Sequence, residues 1–472
     1  MMRKSVLLAL LLLPAALASL AIAAPAVWDT PTISSDTTWS GDVLIRQNVV
    51  VSPGATLRIT AGTNVLVESG KGIGISVMGR LVVSGKPSEP VAFLPEKPGA
   101  GKHQWEGIRL AGGRNAGHSL AGFRISGAHE GVNLTDTAAK VSGATFSGCG
   151  AGLGGVQKSM ATVDNCTFDG NDVGAYVSLG SEVVVRDSRF TGIGVNGLVV
   201  DKGASASVSN SEFSRGKTGV FSLTDSPCRI EGSRFLSLEM GIVARQMGRN
   251  SSIARCTFEN DATGILAVQF CSAEISESVF QGNKTGMDVR EFSVPRIRNN
   301  RFEGNQVAVS LHRKSHAEIE ANVFFHNRNA VVVNYSSYPR IVRNNFDRNE
   351  MSVRLEKFQS GDWEERAGSP ALTEGEAIRR GSKNPNIGQA MRQADYPKRV
   401  YAKGNYWGPD AGRDPSMGTL GKIWDGHKYG PVKYEGFGEE EYRIDVVDYS
   451  EESAVPFADA GPRAREGARG AK

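Results

Sequence analysis

Between Asp288 and Lys357 the chain gathers side chains that acid–base chemistry uses. Asp288, Glu291, His312, Arg313, Lys314 and Tyr335 all fall there, and three of the seven histidines (His312, His316 and His326) lie within 15 residues. From Lys284 to Lys357, 13 Lys or Arg stand against 8 Asp or Glu. A lyase acting on a uronic acid needs a cation to neutralise the carboxylate and a base such as Arg, Lys, His or Tyr. Arg313, Lys314, His312 and Tyr335 supply those types. A glycoside hydrolase needs two carboxylates about 5–9.5 Å apart across a cleft, and Asp288 and Glu291 are the obvious pair. Same-strand neighbours need not face one cleft, however, and a merely charged surface offers the same residue types. His312 and His316 would share a face on a helix, but here they lie in a strand and turn, so their spacing carries no metal signal. The Trp424–His427 stretch is too isolated to define a site.

What positions these residues is a repeat. Phe123, 146, 168, 190, 213, 235, 258, 280, 302, 324 and 346 are spaced by 22 or 23 residues throughout. Five residues before ten of them stands Val or Ile, from Val141 to Ile341. Six residues after come Gly152, Gly174, Gly219, Gly241, Gly264 and Gly286, then Ala308 and Ala330. Three residues after lies a polar column of Asn171, Asp261, Asn283, Asn305, Asn327 and Asn349. Short alternating apolar runs at this period predict three short strands per turn of a solenoid. The unit has no room for helical runs of about 10–12 residues, and leucines do not occupy the fixed offsets of leucine-rich repeats. The fold class is therefore all-β: a single-stranded parallel β-helix of about 22 residues per coil, right-handed as parallel crossovers almost always are. In this reading Phe stacks on Phe inside, Asn bonds Asn at a bend, and Gly marks turns needing positive φ. About fifteen coils are expected.

The repeat settles two further patterns. Glu274, Arg296, Glu318 and Arg340 stand in one column on successive coils, and their alternating sign reads as a ladder of ion pairs rather than a substrate track. Cys166 and Cys256 share a column about 19 Å apart at strand spacing, beyond the roughly 7 Å of a disulfide. With Cys149, Cys228 and Cys271 in other columns, the five cysteines are expected to be buried small residues.

The boundaries follow. Arg3 and Lys4, the apolar run Val6 to Leu13 and Ala21-Ile22-Ala23 describe an export signal over 1–23. The mature chain is thus expected in the periplasm, at the cell surface or outside the cell, with no later stretch apolar enough to span a bilayer. Without Arg3 and Lys4, 52 basic residues face 50 acidic ones, which argues against a nucleic-acid partner. Residues 24–122 read as an N-terminal cap with irregular first coils and 123–356 as regular coils. Residues 357–399 form a non-repeat excursion with a short helix or two, 400–449 a last coil and C-terminal cap, and 450–472 a disordered tail rich in Ala, Gly, Pro and charge. No metal or cofactor is predicted. Ca²⁺ is the one ion left open, against a polar column that is mainly amide where Ca²⁺ prefers clustered carboxylates.

The units "IRNNRFEGNQVAVSL" and "ISESVFQGNKTGMDV", closed by "GNYWGPDAG", resemble the right-handed parallel β-helix repeat superfamily over about residues 39–449. That superfamily holds pectate lyases, polygalacturonases, alginate epimerases and many exported proteins without known activity. The D-P-H-D of the epimerases is absent, as are the N-T-D, D-D, G-H-G and R-I-K set of polygalacturonases and the R-x-P-x-x-R of pectate lyases. The closing Gly404-Asn405-Tyr406-Trp407-Gly408 also resembles the end of NosD-type periplasmic proteins, implicated in copper-site maturation. Within this chain it reads as a cap over the open core. The expectation is a non-catalytic platform presenting its side face to a polysaccharide or a cell-envelope protein. A carbohydrate-active enzyme (lyase, hydrolase or epimerase) and a NosD-like accessory protein stand as alternatives.

Overall fold

The computed structural model describes residues 25–463 apart from 71, 98, 100, 368–395, 413–419 and 437. The expected export signal lies outside the described residues. Except at the C-terminal end, each strand pairs in parallel with the strand three further along the chain, which builds three sheets of 15, 16 and 16 strands. The strands are short and alternate in burial, as in Glu182–Arg186, where Val183 and Val185 face inward and both ends face solvent. This is the parallel β-helix that the repeat predicts. The first sheet carries the Phe column, the second the Gly–aliphatic column and the third the Val/Ile column.

The phenylalanines form one continuous stack. From Phe146 to Phe346 successive rings lie 4.5–5.1 Å apart and within 11° of parallel. The stack starts earlier than the repeat shows, at Phe93, whose ring meets Phe123 edge-on at 6.0 Å. Trp407 ends it, stacked on Phe346 at 4.8 Å, so the closing motif does cover the core. At the other end Trp39 is buried against Trp28. Each stacked Phe is worth about 3–5 kcal/mol against truncation to Ala.

The glycine column has a different cause from the one its sequence suggests. Gly152, Gly174, Gly219 and Gly241 do not adopt positive φ. A Cβ on any of them would lie 2.6–2.9 Å from the Phe ring of the next coil. The clearance grows to 3.1 Å at Gly264 and 3.2 Å at Gly286, and the next two coils carry Ala308 and Ala330. Glycine here makes room for the aromatic stack and for the next coil's backbone carbonyl, which would lie 2.4–2.6 Å from the same Cβ. Left-handed backbone falls elsewhere, three residues before each Phe, at Asn165, Asp187, Asn210, Arg255, Glu277, Asn299 and Arg343 among others.

The polar columns bond coil to coil. Asn305 donates from Nδ2 to Asn327 Oδ1 at 2.9 Å and to the Phe280 carbonyl at 2.9 Å, and its backbone N–H also reaches Asn327 Oδ1. The charge ladder pairs in the expected register, Glu274↔Arg296↔Glu318↔Arg340, with Arg296 and Glu318 3.2 Å apart. All five thiols are buried and unbridged, and burial pushes them up to about 11 or 12.

In the excursion a helix, α1, spans Gly361–Arg366, capped by Ser360, while 368–395 lie outside the described residues. Val446–Asp448 pairs with Arg399–Tyr401 to close the third sheet. The expectation of a disordered tail needs correcting for residues 450–463. They turn back toward the N-terminal end and lie along the coils, with Phe457 N–H bonded to Asn345 Oδ1 and Gly461 N–H to the Ala321 carbonyl, both at 2.8 Å. Composition suggested solvation, but the neighbouring coils supply partners for this backbone. Residues 464–472 lie outside the described residues.

Asp261 breaks the amide column. Its Oδ1 accepts the Leu238 N–H at 2.8 Å, as the Asn side chains do, but its buried Oδ2 has no donor. Burial raises this carboxyl to about 7. A carboxyl raised on folding stabilises most below its unfolded value of about 4, and that contribution is lost as pH climbs through about 7. Asp261→Asn restores the missing donor. It is expected to raise the urea midpoint at about pH 8 and to change it little at about pH 4; equal midpoints at pH 8 would refute this account.

Candidate functional site

Register puts Asp288, Ser310, Val332 and Arg354 in one outward column of the second sheet. His312 lies two residues beyond Ser310, and its Nε2 is 2.6 Å from Ser310 Oγ. Burial lowers its affinity for a proton, and the nearby Asp288 opposes this only in part. Asp288 accepts from Arg290 Nε at 2.8 Å. Glu291, Arg313 and Tyr335 sit at left-handed turn positions on the edge toward the third sheet. Arg313 reaches Glu291 at 3.2 Å, and the Tyr335 ring stacks on Phe358 at 5.1 Å. Lys314 is drawn beneath α1, 3.0 Å from both Glu364 and the Tyr396 hydroxyl. His316 is half-buried, its proton affinity lowered to about 4 by desolvation, and it accepts the Tyr338 N–H at 2.9 Å. The six candidates are close in the fold but are committed to different partners. In particular, the Asp288 and Glu291 carboxylates are engaged by different arginines.

A more organised group lies nearer the N-terminus, on the same sheet. Ser76, Arg109, Asn133, Gly154 and Tyr176 form one outward column on successive coils. The Tyr176 hydroxyl donates to Glu130 Oε1 at 2.8 Å, and Asn133 Nδ2 donates to Glu130 Oε2 at 2.6 Å and to the Tyr176 hydroxyl at 2.9 Å. Tyr176 reaches across an entire coil to do this, and Gly154 is what lets it. A Cβ at Gly154 would stand 2.5 Å from the phenol carbon and oxygen. Burial first, then the Glu130 carboxylate, pushes the Tyr176 hydroxyl well above its ordinary value, so it stays protonated and serves as a donor.

Beside this network the residues before Trp105–Leu110 bring in Lys102 and His103. His103 Nδ1 lies 2.8 Å from His129 Nδ1, and its Nε2 lies 3.7 Å from Asp172, which Lys102 holds at 2.5 Å. Gly150 plays the part of Gly154 here, since a Cβ would overlap the His103 ring. A cleft of about 500 Å³ opens over Ser76, Glu106, Arg109, His129, Glu130 and Asn133, with Gly72, Gly74 and Gly107 also in its lining. The sequence repeat missed this group because the column runs through the irregular coils before and around Phe123. The available signal was the run of glycines from Gly148 to Gly155, which exceeds what one Phe contact requires.

Fold and repeat together make the chain a parallel β-helix. Residues 106–258 match the family model described as "Right handed beta helix region", and residues 196–412 match the one described as "Periplasmic copper-binding protein (NosD)". No curated protein matches by sequence. Similar solved structures include the Azotobacter vinelandii mannuronan C-5 epimerase AlgE6 A-module, at 14% identity over 65% of this chain and 88% of that one, TM-score 0.35. PfbA, a surface adhesin of Streptococcus pneumoniae, is 13% identical over 64% and 84%, TM-score 0.33. An alginate lyase from Paenibacillus sp. is 14% identical over 64% and 91%, TM-score 0.27. These scores are too low to carry function or site residues across.

A resident copper ion does not fit the donors present. Copper sites draw on converging imidazole, thiolate or thioether ligands. Among the described residues no three His, Cys, Asp or Glu are placed to hold a metal. The thiols are buried and protonated, Met247 and Met287 are enclosed in the core, and His103 with His129 offers only two nitrogens. No helix among the described residues is long and apolar enough to cross a membrane.

Lys314 is thus a structural cation. Burial opposes its charge, but Tyr396 and Glu364 outweigh that and raise it. Lys314→Ala leaves the buried Glu364 carboxylate without its cation, with only Ser336 Oγ still donating to it, and is expected to cost about 1–3 kcal/mol in urea unfolding. A stability unchanged by this substitution would contradict the assignment.

Proposed function

We propose that the protein is an exported β-helix that binds an acidic oligosaccharide in the second-sheet cleft without turning it over. The observation that supports this most directly is the Glu130–Asn133–Tyr176 network seated over Gly154, a polar surface built at the expense of a side chain. A cleft of about 500 Å³ is within the range of small-ligand sites, and its polar lining suits sugar hydroxyls. Arg109, exposed in the same column, suits a carboxylate. Glu130 is engaged by two donors, and Tyr176 is held protonated, so neither is poised as a base near neutral pH.

The match to the NosD model over 196–412 supports a second reading, a periplasmic accessory protein. With no converging copper donors among the described residues, that reading uses the side face as a docking platform.

Acidic and neutral oligosaccharides of matched length, titrated calorimetrically and then sized by chromatography, test the proposal. Binding of the acidic series is expected, weakened about tenfold, or roughly 1.4 kcal/mol, by Arg109→Ala and to a similar degree by Tyr176→Phe. Shortened products would replace binding with a carbohydrate-active enzyme. Absence of heat from both series would sink the glycan reading and leave the accessory role.

A further inference from the structure

The edge between the third and first sheets holds a groove that the C-terminal segment fills only in part. One wall is the left-handed residue three before each Phe, and the other is the residue just before each Phe. Residues 457–463 lie in this groove, advancing roughly two residues per coil toward the N-terminal end. Arg343 takes the Asp459 carboxylate at 3.0 Å and sits over the Phe457 ring at 4.9 Å. The Ala321 carbonyl accepts the Gly461 N–H at 2.8 Å, Asn299 donates to the Asp459 carbonyl at 2.9 Å, and Arg463 lies 3.7 Å from Glu277. A Cβ on Gly461 would come within 3.0 Å of Val323, so the groove demands a small residue at that point.

Four coils earlier the same wall repeats this order. Arg343, Ala321, Asn299 and Glu277 correspond to Arg255, Gly232, Asn210 and Asp187: a cation, a small residue, an amide and an acid. There the groove is an open hollow of about 430 Å³, walled by Asp187, Asn210 and Gly232 on one side and Arg189, Glu212 and Arg234 on the other. Arg189 and Arg234 both face Glu212, at 3.5 and 3.8 Å, and Arg255 is shared between Glu231 and Glu277. Among the described residues Asp187 has no cation within ion-pair distance, and no backbone N–H takes the carbonyls of Gly232, Asn210 or Asp187. Three of the strap's anchors, the carbonyl of a small residue, the amide and the acid, are therefore present a second time, while the cation counterpart Arg255 is already paired.

We propose that this hollow is a peptide-binding site. Its occupant is an extended segment of another polypeptide, carrying Asp-x-Gly-x-Arg as residues 459–463 do. The glycine N–H bonds the Gly232 carbonyl, Asn210 donates to a peptide carbonyl, and Asp187 receives the arginine. Main-chain bonding supplies affinity here, and the arginine sets register, as in other extended-peptide recognition.

The test uses a fluorescent synthetic peptide spanning Val455 to Arg463, titrated by anisotropy into the full-length purified protein. Saturable binding is expected, reduced at least tenfold by Asp187→Arg and unchanged by Arg343→Gln, which touches only the strap. A peptide with Asp in place of its arginine is expected to regain binding to Asp187→Arg. Position 187 tolerates this change, because Arg255 and Arg343 already occupy the same backbone conformation in the same column. Sensitivity to Arg343→Gln alone would mean exchange of the chain's own strap and would overturn the proposal. So would binding that appears only after removal of residues 464–472, or no binding at all.

Discussion

Stacking of one coil on the next is the constraint on which the molecule depends. Parallel strands lie about 4.8 Å apart, so every residue rests on its equivalent from the coil before. A buried column must consequently tolerate itself. Phenylalanine does so by stacking, and the ring spacing of 4.5–5.1 Å simply reports the strand spacing. Asparagine does so because an amide both donates and accepts, which lets one side chain satisfy two neighbouring coils. A carboxylate cannot, and Asp261 shows the consequence in its unpartnered oxygen.

The same rule acts outside. Charges on successive coils are held at contact distance, so stable columns alternate in sign, as Arg298 does with Glu320, or pair diagonally, as Arg298 does with Glu318. This explains why a region dense in Asp, Glu, His, Arg, Lys and Tyr yields a surface whose acids are taken up in ion pairs. Sites arise where the columns are interrupted. At Gly154 and Gly150 a missing Cβ lets a large side chain lean across one coil, and groups from four coils converge in one cleft. The C-terminal strap depends on a comparable vacancy, the outward carbonyls of the left-handed residues.

Open ends are the weakness of any solenoid, since unpaired strands invite association. Here the two ends are closed by aromatic residues that continue the core: Trp39 with Trp28 at one, Trp407 on Phe346 at the other. The strap then ties the last coils together from outside. Its Arg343–Asp459 contact joins residues 116 apart in sequence.

The sequence by itself determined the coil, its period and its ladders, because a strictly stacked fold turns spatial contact into regular spacing. Phe302 meets Phe324, and Glu318 meets Arg340, at a distance that can be read by counting. It misassigned the reason for the glycine column, because φ and steric exclusion by a neighbouring ring select the same residue. It also nominated Asp288, Glu291, His312, Arg313, Lys314 and Tyr335 by type, without showing that each was already engaged. Only the tertiary structure decided that Tyr176, Glu130, Asn133 and Arg109 share a surface, since insertions among the early coils shift the count there. Likewise, nothing in the composition of residues 450–463 distinguishes a solvated tail from a docked one. The difference lies in whether the coils beside it offer unpaired carbonyls and amides at the right spacing, and that is a property of the folded surface.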